Sequence, residues 1–289
     1  MSVARVVRTA LPPVIFGVAF LTVWELVVKG FDIKPYLLPA PSAIWTALLD
    51  NAGKVWDAMF VTGANALVGL VVGVVVGVAL SFVLMRFRIA NELITPLAVA
   101  LNAIPIIVLV PVFNNMLSIT SEIPRRLMVT VIVSFIVLVN VAKGLRQVSP
   151  VHLELLRSYA ASPTAVLAKV RTPNAVPYLF TALKIAAPIA VITAFVAEYF
   201  GGNQNGLGYG ITSNAAASRS AASWAYVVGA CALGLTFYLV AIALERVCAP
   251  GFWAARARST RTPRATTSGP RSTHQQPAGD LVPGGAATP

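Results

Sequence analysis

Residues able to do chemistry are sparse in this sequence and do not cluster. The two histidines, His152 and His274, stand in separate polar segments, and the two cysteines, Cys231 and Cys248, have neither a CxxC partner nor a neighbouring histidine. This gives no basis for a zinc site, a disulfide framework or histidine-based catalysis, and no metal or cofactor is expected. The sequence has no GxxxxGK[ST] run to cradle nucleotide phosphates, so any ATP must be handled by a partner. What polar chemistry there is lies inside or beside apolar runs. Glu25, Glu198 and Glu245 fall toward the ends of such runs, whereas an ion-coupled carrier would hold acids or histidines deep in its spans. Asn102, Asn114, Asn115 and Asn140 lie within them, where an unsatisfied amide is costly, so pore lining and helix packing are equal readings. Ser81, Thr130, Ser134 and Thr193 are read as interhelical hydrogen bonders. Gly201, Gly202, Gly206, Gly208 and Gly210 lack the lysine of a phosphate loop and read as a turn at an outer mouth beside Glu198.

The elements that position these residues are membrane spans. Of 289 residues, 57% are hydrophobic and 11% charged, with mean hydropathy +0.78, which excludes an ordinary soluble domain. The formal charge of +12 would suggest nucleic acid in a soluble chain; here it reads as cytoplasmic loops and a basic tail, with the lipid bilayer as partner and no nucleic acid. A span needs roughly 20 mainly apolar residues, and six candidates emerge: Thr9–Val28, Ala58–Met85, Leu93–Leu117, Leu127–Ala142, Tyr178–Tyr199 and Ala221–Leu244. The fold class is therefore all-α and polytopic. In the second span Gly69, Gly73 and Gly77 share one helix face and allow another helix to approach closely. The third holds Pro96, Pro105 and Pro111 and is expected to be kinked against a cavity. With both termini in the cytoplasm, most Lys and Arg fall on the inner side; Lys29, Lys34, Lys54, Arg125, Arg126 and Arg219 fall outside. The Arg125-Arg126 pair runs against the rule, and Glu122 offsets it in part. Residues 1–250 form the membrane domain, and residues 251–289, rich in Arg, Ser, Thr, Pro and Gly, are expected to be a disordered cytoplasmic tail.

Between the fourth and fifth spans lies the inner segment 144–177. Leu153, Leu155, Leu156 and Tyr159 recur at helical spacing, a second short helix is expected to start at Pro163, and Pro173 and Pro177 are expected to break the chain before the fifth span. This segment resembles the EAA loop of ABC importer permeases, in the binding-protein-dependent nitrate, sulfonate and taurine branch. Leu153, Glu154, Arg157, Ala161, Ser162, Pro173, Pro177 and Tyr178 fall on matching positions; Leu155 and Leu156 replace two family alanines, Ala160 the family glycine and Thr172 a leucine. Further likenesses are YLLPAPS at Tyr36–Ser42, the proline-rich Pro96–Pro111 and EYFGGNQNGLGY at Glu198–Tyr209.

The resemblance implies a type I importer permease fold of about six helices with a cytoplasmic coupling helix, in the inner (cytoplasmic) membrane. It implies a pore-forming subunit without enzymatic activity of its own, paired with a second permease, usually a copy of itself. A cytoplasmic ABC ATPase dimer and an extracytoplasmic substrate-binding protein complete the importer. On this reading Leu153, Glu154, Leu156, Arg157, Ala160, Ala161, Ser162, Pro173 and Pro177 form the ATPase-coupling loop, with Leu153, Leu156 and Ala160 facing the ATPase. Asn102, Pro105, Asn114, Asn140, Glu198, Gly206 and Gly208 are candidates for the pore or outer mouth. Relatives of that branch carry nitrate, sulfonates, taurine, pyrimidine precursors or riboflavin. The absence of Lys and Arg from span centres favours a neutral, ring-containing solute.

Overall fold

The computed structural model describes residues 3–86, 106–118 and 120–248. Over the described residues the chain is a succession of helices, which we label in order: α1 (Val3–Gly30), α2 (Pro41–Asp50), α3 (Ala52–Arg86), α4 (Ile106–Leu117), α5 (Ile123–Arg146), α6 (Pro150–Ser158), α7 (Pro163–Val166), α8 (Thr172–Tyr199), α9 (Gly206–Ala216) and α10 (Ser220–Cys248). A π turn, Leu167–Arg171, joins α7 to α8. Five helical stretches are long and apolar enough to cross a membrane: those of α1, α3, α5, α10 and the continuous run from Pro163 to Tyr199. α4 adds a shorter apolar helix, with Pro111 inside it. The expected beginning of the third span, with Asn102 and Pro105, lies outside the described residues, as does the tail 251–289.

Apolar side chains cannot drive helices together in a bilayer, so packing of small residues must. α3 and α5 run parallel and are locked by the predicted glycine face: Gly69, Gly73 and Gly77 back onto Val129, Val133 and Val137, so closely that a Cβ on Gly73 would stand 2.7 Å from that of Val133. α8 supplies the other close surface, with Ala182, Ala186, Ala187, Ala190, Ala194 and Ala197 all buried. α10 closes on α8, leaving an apolar groove of about 760 Å³ lined by α3, α8 and α10, among them Phe60, Leu67, Leu183 and Phe237. α1 stands largely free of this core. Its Trp24 meets Trp224 edge-on at 5.3 Å, and Glu25 accepts hydrogen bonds from the Ser42 amide (3.0 Å) and hydroxyl (2.7 Å), capping α2 just after Pro41.

Three expectations change in the structure. The fourth span is longer than Leu127–Ala142, because α5 takes in Arg125 and Arg126 at one end and Lys143 and Arg146 at the other, each at a helix terminus. Pro173 and Pro177 do not break the chain before the fifth span. Pro173 sits in the first turn of α8, where a missing N–H is tolerated, and Pro177 one turn later is carried within a continuous helix. The serines and threonines mostly serve their own helices: Ser81, Ser134 and Thr193 bond to the carbonyls of Val78, Val131 and Ile189. Thr130 bonds to Arg126 and, at 3.5 Å, reaches the Gly69 carbonyl across the α3–α5 seam.

Candidate functional site

Polar interactions gather at the two ends of the bundle. At the first end α5 gives way to α6, which starts at Pro150 and stops in a tight turn. There the Ala161 N–H donates to the Leu156 carbonyl (3.0 Å) and Ala160 takes φ +53°. This is a Schellman stop, whose left-handed position favours glycine. The glycine of the resemblance would take this conformation without strain. Ala160→Gly is expected to firm this turn by about 1 kcal/mol, the left-handed penalty less the entropy cost of glycine. Slower amide exchange over Leu156–Ala161 would register it. Ser162 then caps α7, its hydroxyl accepting from the Ala165 N–H at 3.3 Å.

α6 buries none of its side chains within the chain. Leu153 and Leu156 are half-covered, whereas Val151, Leu155 and Tyr159 are 68%, 53% and 75% exposed and stand at i, i+4, i+8. The apolar stripe left exposed by the chain is therefore Val151, Leu155 and Tyr159, while Leu153 and Leu156 are half-covered and Ala160 is exposed. Behind α6 a collar that sequence reasoning missed fastens α5 to α8. Asn174 donates to the carbonyls of Gly144 (2.7 Å) and Gln147 (3.0 Å), and Tyr178 Oη donates to Gln147 Oε1 (2.8 Å). Gly144 is required because the Tyr178 ring and Ala175 backbone press against it.

At the other end Glu198, 3% exposed, enters the glycine turn. Its Oε2 accepts from Thr62 Oγ1 (2.7 Å) and from the Gly208 N–H (3.1 Å), while Thr62 in turn accepts the Leu207 N–H (2.9 Å). The carboxylate thus lies at the N-terminus of α9, where unpaired N–H groups favour an anion. Gly206, at φ +86°, and Gly208 leave no room for a Cβ beside it. Glu198, Gly206 and Gly208 are brought together. Asn114 is buried and lies against Gly201; Asn140 is spent on its own helix, bonding to the Ile136 carbonyl at 2.8 Å.

Beside this turn is a second network. Glu122 Oε1 accepts from Asn203 and Asn205 (both 3.0 Å), and its Oε2 accepts from Asn65 (2.7 Å) and Arg125 (2.9 Å). Arg125, 1% exposed, also donates to Asn205 Oδ1 (2.5 Å) and to the Asn203 carbonyl, and Arg126 donates to Asn65 Oδ1 (2.9 Å). The arginine pair that defied the charge rule is thus tied into α3 and the 203–205 loop. The i,i+3 spacing of Glu122 and Arg125 was the available signal; the asparagines gave none. Burial pushes the Glu122 carboxyl up, but the amides of Asn205 and Asn203, the Arg125 charge and Asn65 together hold it below its ordinary value of 4.5. A depressed pKa contributes stability that is full above the unfolded value and lost as pH falls through the folded one. The melting-temperature gap between wild type and Glu122→Gln should therefore be flat from pH 7 to about 4.5 and shrink only below that.

The two buried acids at helix ends are held differently: Glu198 by this turn through its Oε2 alone, Glu245 by Lys184, whose Nζ reaches both its oxygens at 2.9 and 2.8 Å. Among the described residues no group of three or more His, Cys, Asp or Glu is placed to hold a metal ion.

The profile of the family described as "Binding-protein-dependent transport system inner membrane component" matches residues 69–253. The chain is 31% identical over 202 residues to the formylaminopyrimidine transport permease protein ThiX of Halalkalibacterium halodurans, covering 69% of this chain and 79% of that one. It is 26% identical to the putative aliphatic sulfonates transport permease protein SsuC of Escherichia coli, over 68% and 75% of the two chains. It is also 26% identical to the riboflavin transport system permease protein RibX of Chloroflexus aurantiacus, over 78% and 85%.

Proposed function

From the premise that the chain belongs to the family of binding-protein-dependent transport inner membrane components, we propose how it works within its importer. The chain is a pore-forming permease subunit of an ABC importer of a small solute. Such permeases work with an ATPase and a substrate-binding protein. Here the ATPase is a separate cytoplasmic dimer that docks on α6, the permease pairs with a second copy of itself, and the binding protein meets the end that carries Glu198. Both termini lie in the cytoplasm of a cell whose inner membrane the chain spans.

The exposed stripe of Val151, Leu155 and Tyr159 carries this reading, because three apolar side chains on a helix that buries nothing in its own chain call for a protein surface. Movement of α6 would pass through the Asn174–Gly144 and Tyr178–Gln147 contacts into α8, and along that helix to Glu198 at its far end. Leu155→Glu is expected to leave the permease in the membrane but cut co-purification of the ATPase at least tenfold, since a charge is placed in a desolvated seat. Leu153→Glu, on the half-covered side, should cut it less. Equal ATPase recovery from Leu155→Glu and wild type would overturn the assignment.

For cargo, the proposal is a neutral heterocycle. Lys184, the cation of the α8 span, is already committed to Glu245 and unavailable to an anion, and the formylaminopyrimidine permease is among the relatives at 31% identity. Identification of the ligand held by the cognate binding protein tests it: an inorganic anion or sulfonate would refute it.

A further inference from the structure

The two networks beside the glycine turn each leave one buried polar atom without a partner among the described residues: Arg125 Nε and Glu198 Oε1. Orphaned buried polar atoms are uncommon and costly. Here they are complementary, a cationic donor and a carboxyl acceptor, and their side chains hold adjoining stretches of chain. Arg125 holds the 203–205 loop through Asn203 and Asn205, and Glu198 holds the first turn of α9 just after it through Gly208. The chain bends around this loop at Gly201, Gly202 and Gly206, whose φ of +129°, +102° and +86° are conformations that glycine adopts without strain. Glu122 would keep the Asn65 amide if Arg125 left it.

We propose that Arg125 is a two-position latch for transport: it pins the 203–205 loop to Glu122 in the state seen here and passes to Glu198 when that loop moves. No bond is made or broken beyond this exchange of hydrogen-bond partners. Arg125 and Glu198 are positioning residues, acting on the loop rather than on cargo. The latch rests on the orientation proposed above, with this loop facing the binding protein.

The test uses the assembled transporter in lipid nanodiscs, with ATPase and loaded binding protein. In a Cys231→Ser/Cys248→Ser background, which removes the two exposed native thiols, spin labels on Lys54→Cys and Gln204→Cys, both at exposed positions, report the position of the loop relative to α3. The labelled parent should show one distance at rest and a second after addition of binding protein and ATP. Glu198→Gln keeps an acceptor for Thr62 and the Gly208 N–H but removes the charge that Arg125 would join, so the second distance should disappear, with at least a tenfold loss of binding-protein-stimulated ATP hydrolysis. Thr62→Val removes a present bond of Glu198 and leaves the latch partners in place, so it should retain the second distance. A single distance in the parent under all conditions, or a second distance undiminished in Glu198→Gln, would overturn the latch, as would its loss in Thr62→Val as complete as in Glu198→Gln. Labelling of Gln204→Cys in intact cells by an impermeant thiol reagent, in the same background lacking Cys231 and Cys248, checks the orientation separately: failure to label refutes that reading, whereas labelling without a second distance refutes the latch alone.

Discussion

Lys184→Met should destabilise the permease by about 3–5 kcal/mol, because it strands the buried Glu245 carboxylate between α8 and α10. Lys184 and Glu245 face each other from helices that otherwise meet through small and aliphatic residues, and Glu245 is 3% exposed. An ion pair taken out of water gains little over a well-packed apolar pair, but half of one is expensive. The double variant Lys184→Met/Glu245→Leu is therefore expected to recover most of the loss. Thermal unfolding of the purified protein in one detergent, across the two single variants and the double, checks this. Additive losses would mean that the two side chains do not act as a pair.

Gly73→Leu should be comparably severe by a different route. The Gly73 face is closed by the side chain of Val133 and the carbonyl of Thr130, so a branched side chain must force α3 and α5 apart along the whole seam. Overpacking of this kind costs about 1–3 kcal/mol where neighbours can yield, and more where the obstacle is backbone. Gly234, on α10, has nothing within 4 Å of its would-be Cβ, and Gly234→Leu should be almost silent. The yield of monodisperse permease after solubilisation, compared between these two variants, is the measurement. A Gly73→Leu protein as well behaved as Gly234→Leu would show that the seam is not what holds the bundle together.

That seam was legible in the sequence because a spacing of four is local: Gly69, Gly73 and Gly77 share a face in any α-helix. The open side of α6 was not. Both Leu153/Leu156 and Val151/Leu155/Tyr159 suit a helical period, and which of them the chain itself covers depends on where the following segment returns. Arg125 shows the same limit. Its i,i+3 neighbour Glu122 could be read directly, but its bonds to Asn203 and Asn205 cross 78 and 80 positions, and an asparagine in a glycine-rich turn looks the same whether or not it holds an arginine. Pro173 and Pro177 misled because a proline marks where a hydrogen bond is lost, and the π turn just before Pro173 shifts the register in which that loss falls.

The parallel seam between α3 and α5 also sets a schedule for making the protein. Thr130 reaches back 61 positions to the carbonyl of Gly69, so the glycine face of α3 leaves the ribosome well before the helix that will cover it. At about 5–20 residues per second the wait is roughly 3–12 s. Through that interval α3 stands in the bilayer with its most adhesive stripe uncovered, able to meet the same stripe on another nascent chain. Biogenesis of this permease should accordingly be most sensitive to synthesis rate between the codons for Arg86 and Val137.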